Sequence, residues 1–336
     1  MNWIRKFMPG ILLALIIAIV AAWLGSIFPI IGGPVFGIVL GIIINNIFVK
    51  PVLFNDGIKF TSKKILQWAI ILLGAGLSLT KVWQTGVESL YVMLFTLSFA
   101  FIAAYGFGKL MKIPHNMTSL IGVGTAICGG SAIAAVSPII EAEEMEVAYS
   151  VSTIFLFNII AVLIFPPLGH LLGFSDKAFG LWAGTAVNDT SSVVAAGYAF
   201  SNTAGAYATI VKLTRTTMII PISLVFAFVM SMRKKRTVKG TESVVNYSFK
   251  KIFPWFILGF LATSLLNTLG LFNWDARHLV PEAGKFFITM ALTAIGLSTD
   301  FKKMLESGLK PLLLGLIVWF VVVVVSIVVQ FVTGQI

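Results

Sequence analysis

Charge is scarce in this chain of 336 residues. Only 11% of them are Asp, Glu, Lys or Arg, whereas an average soluble domain carries roughly a quarter of its residues as these four types. Hydrophobic residues make up 58%, and the mean hydropathy is +0.99. Because no stretch is polar enough to form a separate soluble domain, the composition predicts a single integral membrane domain over residues 1–336.

Cysteine and histidine are also rare, and their scarcity excludes several kinds of chemistry. The single cysteine, Cys128, rules out an internal disulfide, and the three histidines do not have the spacing of metal ligands. No G-x-x-x-x-G-K-[ST] motif, nucleophile elbow or catalytic carboxylate pair is found. We therefore expect no metal, no cofactor and no enzymatic activity.

Acids are fewer than bases, 13 against 24, which gives a net charge of +11. A positive chain can bind nucleic acid, but here the cations form short clusters between apolar runs and no basic face with interleaved aromatics. Clusters of this kind are typical of membrane-protein loops. We expect the lipid bilayer, and no nucleic acid, as the partner of this surface.

The apolar runs predict an all-α, polytopic membrane protein with about eleven transmembrane helices. The predicted spans are 9–30, 32–49, 65–80, 90–108, 118–140, 147–172, 179–199, 205–230, 252–271, 284–299 and 311–333. A cytoplasmic N-terminus puts 19 basic residues in inner loops and 3 in outer loops, which favours an inner-membrane protein with its C-terminus outside. The longest inner connection is the basic loop 231–251.

Two pairs of similar segments suggest internal repeats. Gly76-Leu77-Ser78 recurs as Gly296-Leu297-Ser298 on spans three and ten, which enter the membrane in opposite directions, as an inverted repeat requires. The second pair comprises residues 124–131 and 184–191, which begin Gly-Thr-Ala in both copies. It falls on spans five and seven, which are parallel in this topology, so either a span is miscounted or the likeness is local convergence.

Two polar segments within the spans predict broken helices, near residues 122–133 and 184–194. Glycine and hydroxyl residues weaken a helix, and unwound backbone inside a membrane is tolerated only where it packs in protein or lines a wet cavity. Broken helices offer amide donors and hydroxyls to a ligand. The candidate substrate-binding residues are Thr125, Cys128, Gly129, Gly130, Ser131, Asn188, Asp189, Thr190, Ser191 and Ser192. Tight helix packing through small residues is the alternative.

Three charged residues fall within predicted spans, namely Asp189, Lys212 and Arg215. An isolated charge near the bilayer centre costs from about 3 to over 10 kcal/mol, so we expect the three to pair or to be hydrated. Their net charge of +1 favours an anionic substrate, with the three residues setting charge balance and coupling. A purely structural ion network is the alternative.

The segments 124–135 and 184–194 resemble those of the YeiH family of bacterial membrane proteins, the UPF0324 type described as sulfate exporters. The resemblance runs essentially from end to end. Gly76-Leu77-Ser78 and Cys128-Gly129-Gly130 are more distantly similar to the bile-acid/sodium symporters and the cation-proton-antiporter superfamily. This resemblance implies crossed, broken helices that carry the substrate in a core domain, which moves against a panel domain.

The leading hypothesis is a secondary transporter that exports a small oxyanion, either sulfate or a related sulfur anion. The coupling ion would be a proton or sodium. A cation/proton antiporter that uses Asp189 as the shared carboxylate is the main alternative, and a channel is a further one. Related architectures often dimerise, so a homodimer is among the assemblies this hypothesis allows.

Overall fold

The computed structural model of the protein describes residues 2–28, 32–48, 51–237, 254–300 and 308–336, and within these ranges the regular structure is entirely helical. The first elements are α1 (Asn2–Ile27), α2 (Gly33–Ile47), a 3₁₀ turn (Val52–Phe54), α3 (Asn55–Phe60), a π-helical stretch (Thr61–Ile65) and α4 (Leu66–Gly74). Next come α5 (Leu79–Leu110), α6 (His115–Ala126), α7 (Gly130–Val136), α8 (Glu144–Leu171), α9 (Asp176–Ala186) and α10 (Thr190–Phe200). The last are α11 (Asn202–Thr217), α12 (Ile219–Thr237), α13 (Phe256–Thr268), α14 (Trp274–Ser298) and α15 (Leu309–Val332).

Six helical segments in the described ranges are long and apolar enough to cross a membrane, which confirms the membrane-helix prediction. They are Arg5–Ile27, Leu79–Leu110, Glu144–Leu171, Asn202–Met232, Asp275–Ser298 and Leu309–Val332. Two shorter apolar helices are Gly33–Ile47 and Phe256–Thr268. Of the predicted basic loop 231–251, residues 238–251 lie outside the described residues, and α12 extends to Thr237.

Side-chain caps explain where several of these helices begin. Ser78 caps α5 by accepting a hydrogen bond from the Lys81 amide, and Ser201 caps α11 by accepting one from the Ala204 amide. Glu143 and Glu146 form a reciprocal capping box at the start of α8. Each cap satisfies amide donors that the helix itself leaves open, so these polar residues fix the helix boundaries within an apolar sequence.

Helices α9 and α10 form an antiparallel hairpin, which we call hairpin B (residues 176–200). At its base, the Ser201 hydroxyl donates a 2.7 Å hydrogen bond to the Asp176 carboxylate. The rings of Phe179 and Phe200 stack with their centroids 4.0 Å apart. A continuous helix would separate positions 176 and 201 by about 37 Å, so the chain turns back at the tip of the hairpin, Val187–Asp189.

Helices α6 and α7 form a second hairpin, hairpin A (residues 115–136). A Cβ at Gly124 would lie 2.9 Å from Ile133 Cδ1, which shows that α7 folds back along α6. His115, before the tip, and Ile140, after α7, line the same cavity of about 450 Å³. The tip of this hairpin is Ile127–Gly129.

These two hairpins correct the predicted spans 118–140 and 179–199. The sequence correctly indicates a break in each segment. At both breaks, however, the chain reverses direction instead of continuing across the helix bundle. The base of hairpin A lies beside the start of α8, and the base of hairpin B lies beside its end. Since α8 has 28 residues and is about 42 Å long, the hairpins enter the bundle from opposite ends.

The remaining helices form a group around α2 and α14. A Cβ at Gly41 would lie 2.5 Å from the Thr293 carbonyl oxygen, so these two backbones approach too closely for any larger residue. The side chains of Asn45 and Asn46 donate to the Thr299 carbonyl at the end of α14, at 2.7 and 3.0 Å. Close contact through small residues, supported by amide hydrogen bonds, is a common way to join helices in a membrane.

The helices thus form two groups. The first contains α1–α4, α13 and α14; the second contains α5, hairpin A, α8, hairpin B, α11, α12 and α15. Helix α10 of hairpin B contacts both α2 and α14, so it lies at the boundary between the groups. The first Gly-Leu-Ser copy follows α4, and the second ends α14. These two helices run antiparallel, as shown by the approach of Gly284 to Ala69 and of Gly76 to Pro281.

Candidate functional site

The tips of the two hairpins meet beside the middle of α8. Gly129, the N-cap of α7, has φ = +65°, a backbone conformation that glycine adopts without steric cost. A Cβ there would lie 3.4 Å from Ile154 Cγ2 and 3.5 Å from Asp189 Cβ. The glycine therefore allows both the sharp turn of hairpin A and its contact with hairpin B.

Asp189 organises the tip of hairpin B. Its Oδ2 accepts a 3.0 Å hydrogen bond from the Ser191 amide and a second one from the Ser191 hydroxyl, so Asp189 is the N-cap of α10. Its own amide donates a 3.1 Å hydrogen bond to Oδ1 of Asn158 on α8. These bonds fix the carboxylate at the point where the two hairpins meet.

Lys212 on α11 connects the two tips. Its Nζ atom donates hydrogen bonds to the carbonyl of Ile127 in hairpin A at 2.7 Å and to that of Val187 in hairpin B at 3.0 Å. The side chain is completely buried. Both carbonyls lie just beyond the C-terminal end of a helix, where the helix dipole favours a cation.

Arg215, one turn further along α11, connects the same two hairpins. Its Nε donates to the Ala126 carbonyl and its Nη2 to the Thr125 carbonyl, both at 2.6 Å, while its Nη1 donates to the Thr185 carbonyl. The side chain is completely buried. The planar fork of donors suits this role, because one guanidinium can reach carbonyls of two helices.

The expected pairing of Asp189 with the two cations is corrected by this geometry. No salt bridge within 4.0 Å joins them in the described part of the chain. Both cations direct hydrogen bonds to backbone carbonyls instead, which satisfies the helix ends opened by the two breaks. Lys212 nevertheless bonds to the Val187 carbonyl, two residues before Asp189, so the three charges share one site without direct contact.

The predicted site residues differ in accessibility. Along the two tips, Gly130 and Asp189 are partly exposed, and Ser131 is exposed. The buried members are Thr125, Cys128, Gly129, Asn188, Thr190, Ser191 and Ser192. All of them lie on the two hairpins at or near the tips.

Two buried polar side chains at the site lack hydrogen-bond partners among the described residues. Both amide atoms of Asn188 are unpaired, and so is Oγ1 of Thr125. Buried polar groups in native proteins are nearly always satisfied by protein, water, an ion or a ligand. The described residues contain no group of three His, Cys, Asp or Glu side chains arranged to hold a metal ion.

Two polar side chains outside the predicted site residues also make notable contacts. A lone asparagine in an apolar span, such as Asn158, indicates an interhelical hydrogen bond but not a place at the site; it is buried, and its Oδ1 accepts from the Asp189 amide. Glu88 lies within α5, where its carboxylate accepts a 3.1 Å hydrogen bond from the Tyr207 hydroxyl. The predicted span 90–108 began too late to include it.

Comparison with known proteins identifies relatives over the full length of the chain. The family described as conserved hypothetical protein 698 matches residues 9–315. A UPF0324 membrane protein of Clostridium tetani is 45% identical to this chain, and the alignment covers 100% of both proteins. The UPF0324 membrane protein SAG1125 of Streptococcus agalactiae is 47% identical over 98% of both chains. FN0533 of Fusobacterium nucleatum is 46% identical over 97% of this chain and 98% of its own.

Proposed function

Since this chain belongs to the UPF0324 family of membrane proteins, that of conserved hypothetical protein 698, we propose that it is a secondary transporter that exports a small oxyanion. Sulfate or a related sulfur anion is the proposed substrate. The substrate binds where the two hairpin tips meet, and the chain acts as a carrier without enzymatic activity.

The charge at the tips is the observation that carries this proposal. Lys212 and Arg215 are the only charged side chains among the buried residues described, and Asp189 is the acid at the same point. The resulting charge of +1 is left in a low-dielectric environment, where an anion provides the missing compensation. The hydroxyls of Ser131, Thr190 and Ser192 can replace part of its hydration shell.

The hairpin arrangement also supports transport by alternating access. Hairpin A and hairpin B enter from opposite ends of α8 and touch only near its middle, so a ligand at the tips can be reached from either end by displacing one hairpin. The helix group that contains α2 and α14 would act as the panel against which the hairpin group moves. Motion of this kind agrees with the resemblance noted in the sequence.

The tips carry signs of an inverted repeat. Positions 125 and 185 correspond in the two Gly-Thr-Ala segments, and both carbonyls accept from Arg215. Positions 127 and 187 also correspond, and both accept from Lys212. We infer that the hairpins are inverted copies with α11 near their symmetry axis. In a topology where both hairpins are re-entrant, the two copies enter the membrane from opposite sides, as an inverted repeat requires.

The proposed topology has nine spans and two re-entrant hairpins, with the N-terminus inside and the C-terminus outside. Compared with eleven spans, only two connections change sides: the acidic segment 141–146 moves inside, and the loop around Lys177 moves outside. Eighteen basic residues are then inside and four outside, so the positive-inside rule still supports this orientation in the inner membrane.

A cation/proton antiporter remains the second candidate because Asp189 is partly exposed and Oδ1 makes no hydrogen bond to the described residues. A carboxylate of this kind can bind a proton or a sodium ion. The +1 charge of the site argues against cation binding, since a cation site would be expected to carry excess carboxylate. Flux measurements separate the two candidates.

The test is uptake of radiolabelled sulfate and sulfite into proteoliposomes that contain the purified chain, under imposed proton or sodium gradients. Saturable anion flux that is lost in Asp189→Asn supports the proposal and identifies the coupling ion. Gradient-driven cation exchange without anion flux would replace it with the antiporter. Non-saturable flux without counterflow would indicate a channel.

A further inference from the structure

The unsatisfied side chain of Asn188 gives information about the ligand beyond its charge. Asn188 is fully buried at the tip of hairpin B, and neither its Nδ2 nor its Oδ1 has a partner among the described residues. An amide side chain offers two donors and one acceptor. A ligand that satisfies both atoms must therefore accept hydrogen bonds and also donate one.

The adjacent carboxylate imposes the same requirement. Asp189 uses Oδ2 to cap α10, whereas Oδ1 makes no hydrogen bond within the described part of the chain. An ionised carboxylate can only accept hydrogen bonds. If no oxygen of the anion carries a hydrogen, its acceptor oxygens and those of Asp189 repel each other. If the anion carries a hydroxyl group, that group can donate a hydrogen bond to Oδ1.

The charge of the tips limits the ligand further. Lys212 and Arg215 together with Asp189 give +1, and both cations are already engaged with carbonyls of the hairpins. A monoanion neutralises this charge. A dianion would leave an excess negative charge in a buried site, which is costly.

We propose that the tip site selects a monovalent oxyanion that carries a hydroxyl hydrogen, recognised by Asn188 and Asp189, over a fully deprotonated dianion. This inference rests on the proposed transport function and specifies its substrate class. Among the sulfur anions proposed above, the site therefore favours hydrogensulfite over sulfate, and hydrogencarbonate belongs to the same class. Nδ2 of Asn188 donates to an oxygen of the ligand, and the acceptor oxygens Oδ1 of Asn188 and Oδ1 of Asp189 share its hydroxyl hydrogen.

The sharpest test compares methanesulfonate with singly protonated methylphosphonate at mildly acidic pH. The two probes have the same charge and nearly the same shape, and they differ by one hydroxyl hydrogen. Calorimetric titration of the full chain in detergent should give a dissociation constant for methylphosphonate that is lower by about tenfold or more, as expected for one hydrogen bond to a charged acceptor. Sulfate should bind more weakly than methylphosphonate.

The variant Asn188→Leu should weaken the binding of both probes and bring the ratio of their dissociation constants closer to one, because leucine has a similar size but no polar atoms. Asn202→Leu, at an exposed position at the start of α11, is the matched control and should leave the ratio unchanged. The comparison in the unmodified chain remains decisive if the Asn188 variant does not fold.

The outcomes separate this inference from the proposed function. If methanesulfonate or sulfate binds as tightly as methylphosphonate, the proposed selectivity is wrong, while anion binding at the tips stands. If Asn188→Leu leaves the ratio intact, recognition by Asn188 is wrong. If the folded chain binds none of the three anions and transports neither sulfate nor sulfite, the proposed function itself fails.

Discussion

The guanidinium of Arg215 donates a 2.6 Å hydrogen bond from Nε to the carbonyl of Ala126, the last residue of α6. The same side chain reaches the Thr185 carbonyl near the end of α9 in the other hairpin. A helix that ends inside a membrane leaves carbonyls without partners, and water is not present to satisfy them. Arg215 therefore stabilises both breaks and ties the two tips to α11.

We expect Arg215→Met to destabilise the protein because three carbonyls lose their donor at once. Buried acceptors left unsatisfied cost about 1–3 kcal/mol each, so the free energy of unfolding should fall by roughly 2–5 kcal/mol. Thermal unfolding of the purified chain in detergent measures the loss. Arg215→Lys should recover only part of the stability, since an ammonium group lacks the fork of donors.

Arg277→Met is the matched control for this change, because Arg277 is exposed on α14. It should unfold at nearly the temperature of the unmodified protein. If Arg215→Met does so too, the hydrogen bonds to the two hairpins do not hold the tips together.

Asp189→Asn should abolish coupled transport and leave the fold largely intact. The amide keeps an oxygen that can cap α10, but the site loses its one negative charge and its acceptor-only group. Asp176→Asn is the same substitution in the same hairpin, at the base where Asp176 accepts from Ser201. Proteoliposome flux should be lost in the first variant and retained in the second. Equal flux in both would remove Asp189 from the mechanism.

The hairpins predict which loops lie on the same side of the membrane. In a Cys128→Ser background, a cysteine at Glu143 should be labelled from the same side as one at Lys109. A cysteine at Lys177 should be labelled from the same side as one at Lys81. Eleven complete spans require the opposite result at positions 143 and 177 only. An impermeant thiol reagent applied to intact cells and to inverted vesicles makes this distinction.

How far the sequence predicts this structure depends on the range of the interaction involved. Glycine at 129 and Asp189 before Thr190 are local signals, so both breaks are correctly indicated. Whether a chain continues or reverses after a break is decided by distant contacts, such as Ser201 with Asp176 and Phe200 with Phe179. Apolar runs of about 20 residues look alike in a spanning helix and in a hairpin, so the sequence predicts a single broken span where the chain forms each hairpin.

The charged residues show the same limit. Their position within apolar runs predicts that Lys212 and Arg215 have partners, because a buried cation requires one, and the structure shows both side chains buried and hydrogen-bonded. The partner could not be predicted from composition, which offers Asp189 as the obvious choice. The carbonyls that bind both cations are exposed only after the two helices break, so they are a property of the fold.

Gly129→Ala should destabilise hairpin A through the backbone. A residue with a Cβ at φ = +65° and ψ = −129° pays roughly 1–3 kcal/mol, and the nearest atoms of Ile154 and Asp189 leave only ordinary contact distance. Gly106→Ala, in α5 with no atom within 4 Å of the added carbon, should be neutral or slightly stabilising. Thermal unfolding compares Gly129→Ala with Gly106→Ala. Equal unfolding temperatures would show that a Cβ at position 129 does not strain the turn.

Substitutions of Asn158 separate the support of Asp189 from the charge of the site. Asn158→Leu leaves the Asp189 amide without its acceptor at 3.1 Å, so we expect the free energy of unfolding to fall by about 1–3 kcal/mol. Asn158→Asp keeps an acceptor oxygen at that position, but it changes the charge of the tips from +1 to 0. Thermal unfolding and sulfite flux, measured on both variants, distinguish the two effects. If the charge selects the substrate, Asn158→Asp should be more stable than Asn158→Leu and yet lose anion flux; retained flux in that variant would mean that the net charge of the tips does not select an anion.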